Sequence, residues 1–374
     1  MDGKTSTRTA SVELLRFIAA VAIMLVHFTA VYGHRQTLAL YAYVFVDFFL
    51  LLTGFFMMQY LQTHEKASDP APYILRKAAG VYPVFLFAFS MQFILFVYSN
   101  HVRGAYAWIK ALFHFKWEVL LLHCAGFLKD PSFNVDYLLG QDWYLSAMLL
   151  GLLFVYPLAL YWRRLFTAWL APAATILIYA LLIQNYGELN VGSEYLGVVS
   201  TAILRGVAGL CAGSVCYTAY ARLRARTLTA AHRRALSAVE VLLWVLVALL
   251  LSPWRYSSDL DAPFYLLLFA VLVELAVRDD FGISHFLNHH GAAVWRALGE
   301  LSLYTYLLHW TVMTAMNTVW PGAPMGLAMP VYFAVTLAGS AALLWVRRRR
   351  KSAAPVAAGV AVLLGVSLGV AMLG

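Results

Sequence analysis

Long apolar stretches alternate with short polar segments along most of the chain. Ten such stretches form a core and an eleventh ends the chain, at about 12–33, 40–62, 74–98, 141–162, 167–185, 197–220, 236–252, 263–278, 299–320, 327–346 and 353–374. A helix rises about 1.5 Å per residue, so about 20 residues cross a hydrocarbon core of about 30 Å. The pattern therefore predicts an all-α polytopic membrane protein with no soluble domain. We expect a membrane domain over 1–346, followed by a basic segment and a last transmembrane helix over 347–374.

The composition agrees with a membrane protein. Hydrophobic residues occupy 62% of the 374 positions, charged residues occupy only 12%, and the mean hydropathy is +0.74. A soluble domain is usually about half apolar and about a quarter charged. The formal net charge of +9 would suggest nucleic acid in a soluble protein, but in a membrane protein positive charge collects in cytoplasmic loops. We therefore expect the lipid bilayer, and no nucleic acid, as a partner.

The distribution of Lys and Arg predicts which side of the membrane each loop faces. With a cytoplasmic N-terminus, every cytoplasmic segment is basic, including the run RRRRK at 347–351. The opposite loops 186–196 and 321–326 contain no Lys or Arg. We therefore expect a cytoplasmic N-terminus and a multi-pass protein of the inner or plasma membrane. The largest outer segment, 99–140, is either an interfacial or re-entrant element or a plain loop with interfacial tryptophans.

The first apolar stretch, which reads ELLRFIAAVAIMLVHF from Glu13, carries Arg16 and His27. An intramembrane charge costs roughly 2.5–3.5 kcal/mol or more, so it indicates a function. The two residues are eleven apart, which is three helical turns plus about 20° and about 16 Å along the axis. They therefore face the same way, Arg16 near the cytoplasmic end and His27 in the outer half. A simple ion pair of Arg16 with Glu13, one turn before it, is the alternative.

Two other stretches carry polar groups at comparable depth. Asp47, in the second stretch, lies at about the depth of His27. It could orient that imidazole, as the third group of a nucleophile–base–orienter arrangement does, or it could cap a helix start. In the ninth stretch Ser302, Tyr306 and His309 share about a third of the helix circumference, and such a stripe faces protein or water rather than lipid. His309, near mid-membrane, is either functional or a packing histidine.

Arg205 is the remaining charge within a span, and three of the following eight residues are glycines that permit close approach of another helix. An arginine in a membrane needs an anion, supplied by a protein carboxylate or by a ligand phosphate. The sequence favours snorkelling, or pairing with Glu240 or Glu274 near the cytoplasmic ends of neighbouring spans.

No metal site is expected. The cysteines Cys124, Cys211 and Cys216 show neither CxxC nor Cys/His zinc spacing. One cytoplasmic loop contains a second group of possible ligands: His285, His289, His290, Asp279 and Asp280. Without an apolar shell or tight ligand spacing around them, a solvated loop is the better interpretation.

Four patterns in order resemble the acyltransferase-3 family of integral membrane acyltransferases, which are mostly bacterial and O-acylate extracytoplasmic glycans. They are ELLRFIAAVAIMLVHF, VDFFLLLTGFFM, YILRKAAGVYPVF and LGELSLYTYLLHWTV, and QDWYLSAMLL resembles a further family segment. The resemblance covers about 12–346. Two departures stand out: Thr53 replaces a serine, and Gly80 stands where the third pattern has an arginine.

The resemblance implies roles for the buried polar residues. The histidine matching His27 is taken as catalytic, either as general base on a sugar hydroxyl or as a relay for the acyl group. Asp47 and Ser302 are possible orienters of that histidine, and His309 is a further catalytic candidate.

The resemblance also associates basic residues with an acyl-CoA donor. Those matching Arg16, Arg76 and Lys77 lie at the cytoplasmic end, where polyanionic coenzyme A is found, and guanidinium groups suit its phosphates. Arg205 is kept as a candidate for the same role. With glycine at position 80, Lys77 or Arg205 would have to compensate.

We therefore expect an enzyme that takes an acyl group from cytoplasmic acyl-CoA, and we expect that group to be acetyl. It would pass the group to a hydroxyl of a lipid-linked or exported saccharide at the outer side. The alternative is a transporter or flippase for a small or lipid-linked anion, using the same buried charges as a relay. We find no inverted repeat and no paired Gly- or Pro-broken helices to support that alternative. The sequence does not indicate an oligomeric state.

Overall fold

The computed structural model describes residues 9–32, 39–64, 68–126, 137–252, 261–350 and 354–373. Lys351 of the basic run and residues 127–136 of the outer segment lie outside the described residues. The described chain is almost entirely helical, which confirms the predicted all-α class.

The long elements are α-helices, with shorter pieces between them. They are α1 (Ala10–Tyr32), α2 (Val44–Thr63), α3 (Ala71–Ser99), α4 (Gly104–His114), α5 (Lys116–Val119), α6 (Trp143–Tyr161), α7 (Arg163–Leu165), α8 (Ala171–Tyr186), α9 (Thr201–Leu223), α10 (Ala230–Leu250), α11 (Ala262–Arg278), α12 (Gly282–His289), α13 (Ala292–Val319), α14 (Met325–Arg350) and α15 (Ala354–Leu373). Two 3-10 helices, Leu40–Tyr43 and His123–Ala125, and a π-helical turn, Phe166–Leu170, complete the helical part. A small antiparallel hairpin pairs β1 (Tyr195–Leu196) with β2 (Val199–Ser200), Tyr195 lying opposite Ser200.

Every predicted span falls on one of these helices. Within the described residues, eight helical segments are long and apolar enough to cross a membrane: Ala10–Tyr32, Tyr41–Thr63, Ala71–Ser99, Trp143–Tyr161, Arg163–Tyr186, Thr201–Leu223, Met325–Arg349 and Ala354–Leu373. The chain is therefore a multi-pass membrane protein. The predicted spans on α10, α11 and α13 are less clear by this measure, because α10 carries Arg233, Arg234 and Glu240, α11 has 17 residues, and α13 carries a polar stripe. Their crossing of the membrane stays a prediction.

Two groups of helices build the core. In one group, α9 packs against α2, α6 and α8, and in the other, α13 packs against α1, α3 and α14. The sequence predicted that glycines would let helices approach closely, and this is confirmed where α2 crosses α9. A methyl group at Gly213 would overlap the Leu51 carbonyl, and one at Gly54 would overlap the backbone of Leu210.

Close packing also holds α1 against α13. Near the start of α13, a methyl group at Gly299 would overlap the buried Glu13 on α1. The two helices therefore run side by side with almost no gap at this level. Nearly four turns further along α1, at His27, the same pairing of helices brings this histidine against His309 of α13.

The described part of the outer segment is folded against the core rather than being a plain loop. It contains α4, α5 and a 3-10 turn. The buried carboxylate of Glu118 on α5 accepts hydrogen bonds from the backbone N–H groups of Leu138 (2.7 Å) and Leu139 (2.9 Å). These bonds fix the residues that precede α6 next to α13.

Candidate active site

The centre of the candidate site is a contact between His27 on α1 and His309 on α13. His27 Nδ1 lies 2.8 Å from His309 Nε2, and the two ring planes differ by 9°. His309 is fully buried, whereas His27 is partly exposed. The indole of Trp310 stands edge-on to His27, with ring centroids 5.3 Å apart. Both histidines were candidates from the sequence, but the helical spacing of each gave no sign that they touch.

The backbone determines which nitrogens of this pair carry protons. His309 Nδ1 lies 2.6 Å from the carbonyl oxygen of Tyr306, and a carbonyl can only accept, so this nitrogen carries the proton. In the neutral ring, Nε2 of His309 is then an acceptor and receives the proton of His27 Nδ1. Nε2 of His27 is left with a lone pair, and His27 forms no other hydrogen bond with the described residues.

The residues that precede α6 support the helix turn carrying His309. The Gln141 side-chain amide donates to Leu307 O (3.0 Å), and the Tyr306 hydroxyl donates to Gln141 O (2.6 Å). Gly140 lies so close to the ring of Trp310 that a side chain there would overlap it. The sequence analysis did not assign Gln141. Its place in QDWYLSAMLL was the available signal, but a lone polar residue before a span does not reveal its partner.

A second buried polar group lies outside the spans, in the outer segment. His123 Nε2 is 3.3 Å from Asp142 Oδ1, and both side chains are buried. Burial by itself would lower the pKa of His123, but the adjacent carboxylate of Asp142 outweighs it and holds that pKa well above 6.5. Burial, with a smaller contribution from Asp142, raises the pKa of Glu118 well above 4.5. These groups tie the outer segment to the first turn of α6.

The structure corrects the interpretation of Asp47. Its carboxylate is fully buried and pairs with Arg205, with Oδ2 2.5 Å from Nη2 and Oδ1 3.4 Å from Nε. The Tyr179 hydroxyl also donates to Oδ1, at 3.3 Å. Asp47 forms no hydrogen bond to His27, so the partner expected to orient that ring is not this aspartate but His309.

Arg205 is corrected together with Asp47. Its Nη1 donates to Val191 O (3.0 Å), and its guanidinium lies over the Trp143 ring, 4.6 Å from the centroid. Its charge is neutralised by Asp47 rather than by Glu240 or Glu274. A side chain 1% exposed and paired in this way is not available to bind an acyl donor.

Ser302 forms no hydrogen bond with either histidine among the described residues. Its hydroxyl donates to the carbonyl of Gly299, one turn earlier on the same helix, at 2.6 Å. Its predicted role as an orienter therefore has no geometric support.

Three of the predicted donor-binding residues remain accessible. Arg16 pairs with Glu13 through Nη1 alone (2.8 and 3.1 Å), which confirms the ion-pair alternative and leaves Nε and Nη2 unbonded among the described residues. Arg76 is exposed and lies over the Tyr60 ring at 4.6 Å. Lys77 is partly exposed, with Nζ 5.7 Å from the centroid of the Tyr73 ring.

The histidine-rich segment expected to be a solvated loop forms the helix α12 instead, and its possible ligands lie closer together than the sequence suggested. Asp279, His285 and His289 each offer a ligand atom, and these atoms lie within 4.8 Å of one another, an arrangement that could hold a metal ion. Both histidines are about half exposed, and their Nδ1 atoms contact backbone carbonyl oxygens. The expectation that no metal takes part stays a prediction.

A comparison with protein-family models gives one match, to an acyltransferase domain, over residues 9–345. The chain belongs to the acyltransferase-3 family. The match covers nearly the whole chain and agrees with the resemblance of the four sequence patterns. No curated protein and no solved structure matches the chain. The protein is therefore a membrane acyltransferase by family.

The last helix of this acyltransferase-3 chain lies beyond the matched residues but is not detached from them. α15 packs against α3 and α4, and the Trp108 indole donates to the Ser367 hydroxyl at 2.9 Å. The predicted division between 1–346 and 347–374 stays a prediction. In space, the C-terminal residues are part of the same helical assembly.

Proposed function

We propose that this protein transfers an acyl group, in the simplest case acetyl, from cytoplasmic acyl-CoA to a hydroxyl of a saccharide or glycolipid at the outer face of the inner or plasma membrane. One observation carries the proposal. The hydrogen bond between His27 and His309 leaves a single imidazole nitrogen, Nε2 of His27, as an acceptor that no described residue occupies.

In the proposed reaction, Nε2 of His27 is the general base. It would take the proton of the acceptor hydroxyl while that oxygen attacks the thioester carbonyl, and the proton would leave with the thiolate of coenzyme A as a thiol. As His27 becomes an imidazolium, its Nδ1–H bond to His309 becomes charge-assisted and stronger. His309 thus has the orienting role that the sequence analysis gave to Asp47 and Ser302.

The donor would be held at the other end of the same helices. Arg16 lies eleven residues before His27 on α1, and Arg76 and Lys77 lie in the second turn of α3, on the predicted cytoplasmic side. Coenzyme A is polyanionic, and the unbonded guanidinium nitrogens of Arg16 suit its phosphates. Arg205 is left out of the donor site, because Asp47 neutralises it.

The test is acetyl transfer in membranes that contain the protein. Membranes carrying wild type or His27→Ala receive acetyl-CoA labelled in the acetyl group, and label is measured in the glycan and glycolipid fractions. A general base contributes roughly 10²–10⁴-fold, so His27→Ala should lower transfer by about that factor while the protein remains folded.

The matched control is His232→Ala, which removes an exposed histidine at the start of α10. It should transfer acetyl at the wild-type rate. Undiminished transfer by His27→Ala would remove His27 from catalysis. If wild-type membranes acylate nothing but move a labelled anion without acetyl-CoA, the transporter alternative replaces the proposal.

A further inference from the structure

The third sequence pattern lacks its arginine at Gly80, and the structure shows open space at that position. Gly80 lies on α3, one turn after Arg76. A Cβ atom built on Gly80 would meet no other group within 4 Å. Glycine is therefore not required here by close packing, and the volume beside it is available to a side chain from another helix.

Arg347, near the end of α14, reaches this position. Its Nη1 donates to the carbonyl oxygen of Gly80 (3.2 Å) and to the hydroxyl of Tyr304 on α13 (3.3 Å). The side chain is half-buried at the junction of the three helices. A guanidinium thus lies beside the α3 turn that lacks one of its own.

The next two arginines of the basic run, Arg348 and Arg349, have other partners. Arg348 pairs with the exposed Glu300, with Nη2 2.6 Å and Nε 3.0 Å from Oε2. Arg349 lies over the ring of Trp345, 4.8 Å from the centroid. Of these three neighbours, only Arg347 contacts α3.

The positive charge of Arg347 has no counter-ion among the described residues. It forms no ion pair with a described carboxylate, and its Nε and Nη2 donate to no described acceptor. Arg76 likewise forms no described ion pair. On α3, positions 76 and 80 are four apart and share a face. Arg76, and Arg347 at the carbonyl of Gly80, thus both offer unused guanidinium donors along this part of α3. The planar fork of a guanidinium matches the oxygens of a phosphate group.

We propose that Arg347 supplies the cation missing at Gly80 and, with Arg76, binds a phosphate group of the acyl donor. The inference rests on the proposed function, because that function makes acyl-CoA the anion. It replaces Lys77 and Arg205 as the residues expected to compensate for Gly80.

The test compares four variants of the full-length protein in detergent: Arg347→Gln, Arg347→Lys, Arg348→Gln and the double variant Gly80→Arg/Arg347→Gln. Equilibrium binding of labelled acetyl-CoA is measured, with competition by unlabelled coenzyme A and by pantetheine, which has no phosphate. Acetyl transfer is measured in parallel.

We expect Arg347→Gln to weaken acetyl-CoA binding roughly 10- to 100-fold, since it removes charged hydrogen bonds. Competition by pantetheine should not change. Arg347→Lys should lie between wild type and Arg347→Gln, because lysine retains the charge but not the fork. Arg348→Gln should bind as wild type does. In the double variant, the new arginine enters the open space at position 80 and should recover much of the affinity.

Three outcomes would overturn the inference. The first is equal binding by Arg347→Gln and Arg348→Gln. The second is a loss of binding in Arg347→Gln that Gly80→Arg does not recover although both proteins show wild-type thermal unfolding. The third is equal weakening of coenzyme A and pantetheine. In each, the proposed function stands if wild type still binds and transfers. If wild type neither binds nor transfers from acetyl-CoA, the proposed function fails as well.

Discussion

At the scale of single residues, the carbonyl of Tyr306 controls the chemistry of the histidine pair. Because it accepts from Nδ1 of His309 at 2.6 Å, it forces Nε2 of that ring to be the acceptor for His27. His27 then has one tautomer compatible with the contact, the one with a basic Nε2. The backbone carbonyl of Tyr306, which every side-chain substitution retains, thus determines through His309 that Nε2 is the basic nitrogen of His27.

Replacing His309 tests this arrangement at the residue scale. His309→Leu removes the acceptor that would stabilise the His27 imidazolium, and a hydrogen bond of a charged group contributes about 1.5–3 kcal/mol, equivalent to roughly 10- to 150-fold in rate. We expect kcat for acetyl transfer to fall by that factor with little change in KM for acetyl-CoA. His309→Gln should fall less, since its amide oxygen can accept the same proton.

Two further measurements test this role of His309. Thermal unfolding in detergent should show that both variants remain folded, and His289→Leu, an exposed histidine of α12, serves as the matched replacement. A loss in His309→Gln as large as that in His309→Leu would contradict the acceptor role. A rise in KM alone would place His309 in donor binding instead.

For single residues, the sequence predicted the depth of a side chain along its helix but not which neighbouring helix the side chain contacts. The spacing of Arg16 and His27 gave the correct element, and the pairing of Arg16 with Glu13 followed from their separation. Similar depth made Asp47 a possible partner of His27, with a helix cap as the alternative, yet its carboxylate pairs with Arg205. Which neighbour a helix face meets depends on the packing of all the helices, and no single span contains that information.

At the scale of elements, glycines determine how closely the helices pack. Where α2 crosses α9, the backbone of one helix touches the other at Gly213, so α6 and α8 can pack around the pair. All the predicted spans were found as helices because an apolar run of this length has few other options in a membrane. The short helices α4 and α5 were not predicted, since they are set by contacts such as that of Glu118 with the chain before α6.

Two glycine-to-alanine changes test the packing of α2 on α9. Gly213→Ala places a methyl group against the backbone of Leu51 and Phe55, which cannot move as a side chain can. Overpacking of this kind costs typically about 1–3 kcal/mol. We expect a lower midpoint of thermal unfolding in detergent. Gly365→Ala on α15, where the methyl meets nothing within 4 Å, is the matched change and should have an equal or higher midpoint.

Wild-type midpoints for both alanine variants would mean that the methyl group at Gly213 is accommodated at no cost, which would contradict the close contact of α2 with α9. If Gly365→Ala also lowers the midpoint of thermal unfolding, the effect comes from placing alanine in a membrane helix and not from the contact of α2 with α9.

At the scale of the whole molecule, the proposed reaction requires two chemically different ends. The cations Arg16, Arg76 and Arg347 form one end, and His27, with the outer segment behind His309, forms the other. An acyl-CoA donor is cytoplasmic, so the first end must face the cytoplasm. The charge pattern predicts this orientation, with the N-terminus inside.

Cysteine labelling in intact cells tests the orientation. The three native cysteines are buried, so the wild-type chain gives the background. Val198→Cys lies in the exposed turn of the β-hairpin, at the start of the predicted span 197–220 and two residues after the loop 186–196 that is predicted to be outside. Arg348→Cys lies on the exposed end of α14, which is predicted to be inside. A membrane-impermeant maleimide should label Val198→Cys in intact cells and Arg348→Cys only after permeabilisation.

Labelling of Arg348→Cys in intact cells, with Val198→Cys labelled only after permeabilisation, would contradict the proposed reaction as well as the predicted topology. It would put the basic end outside, away from acyl-CoA, and His27 near the cytoplasm, where the proposed acceptor is not found. Since Val198 and Arg348 lie outside both proposed binding regions, both variants should keep acetyl transfer, and this can be measured in the same membranes. Labelling and transfer together therefore decide whether donor and acceptor approach the histidine pair from opposite sides.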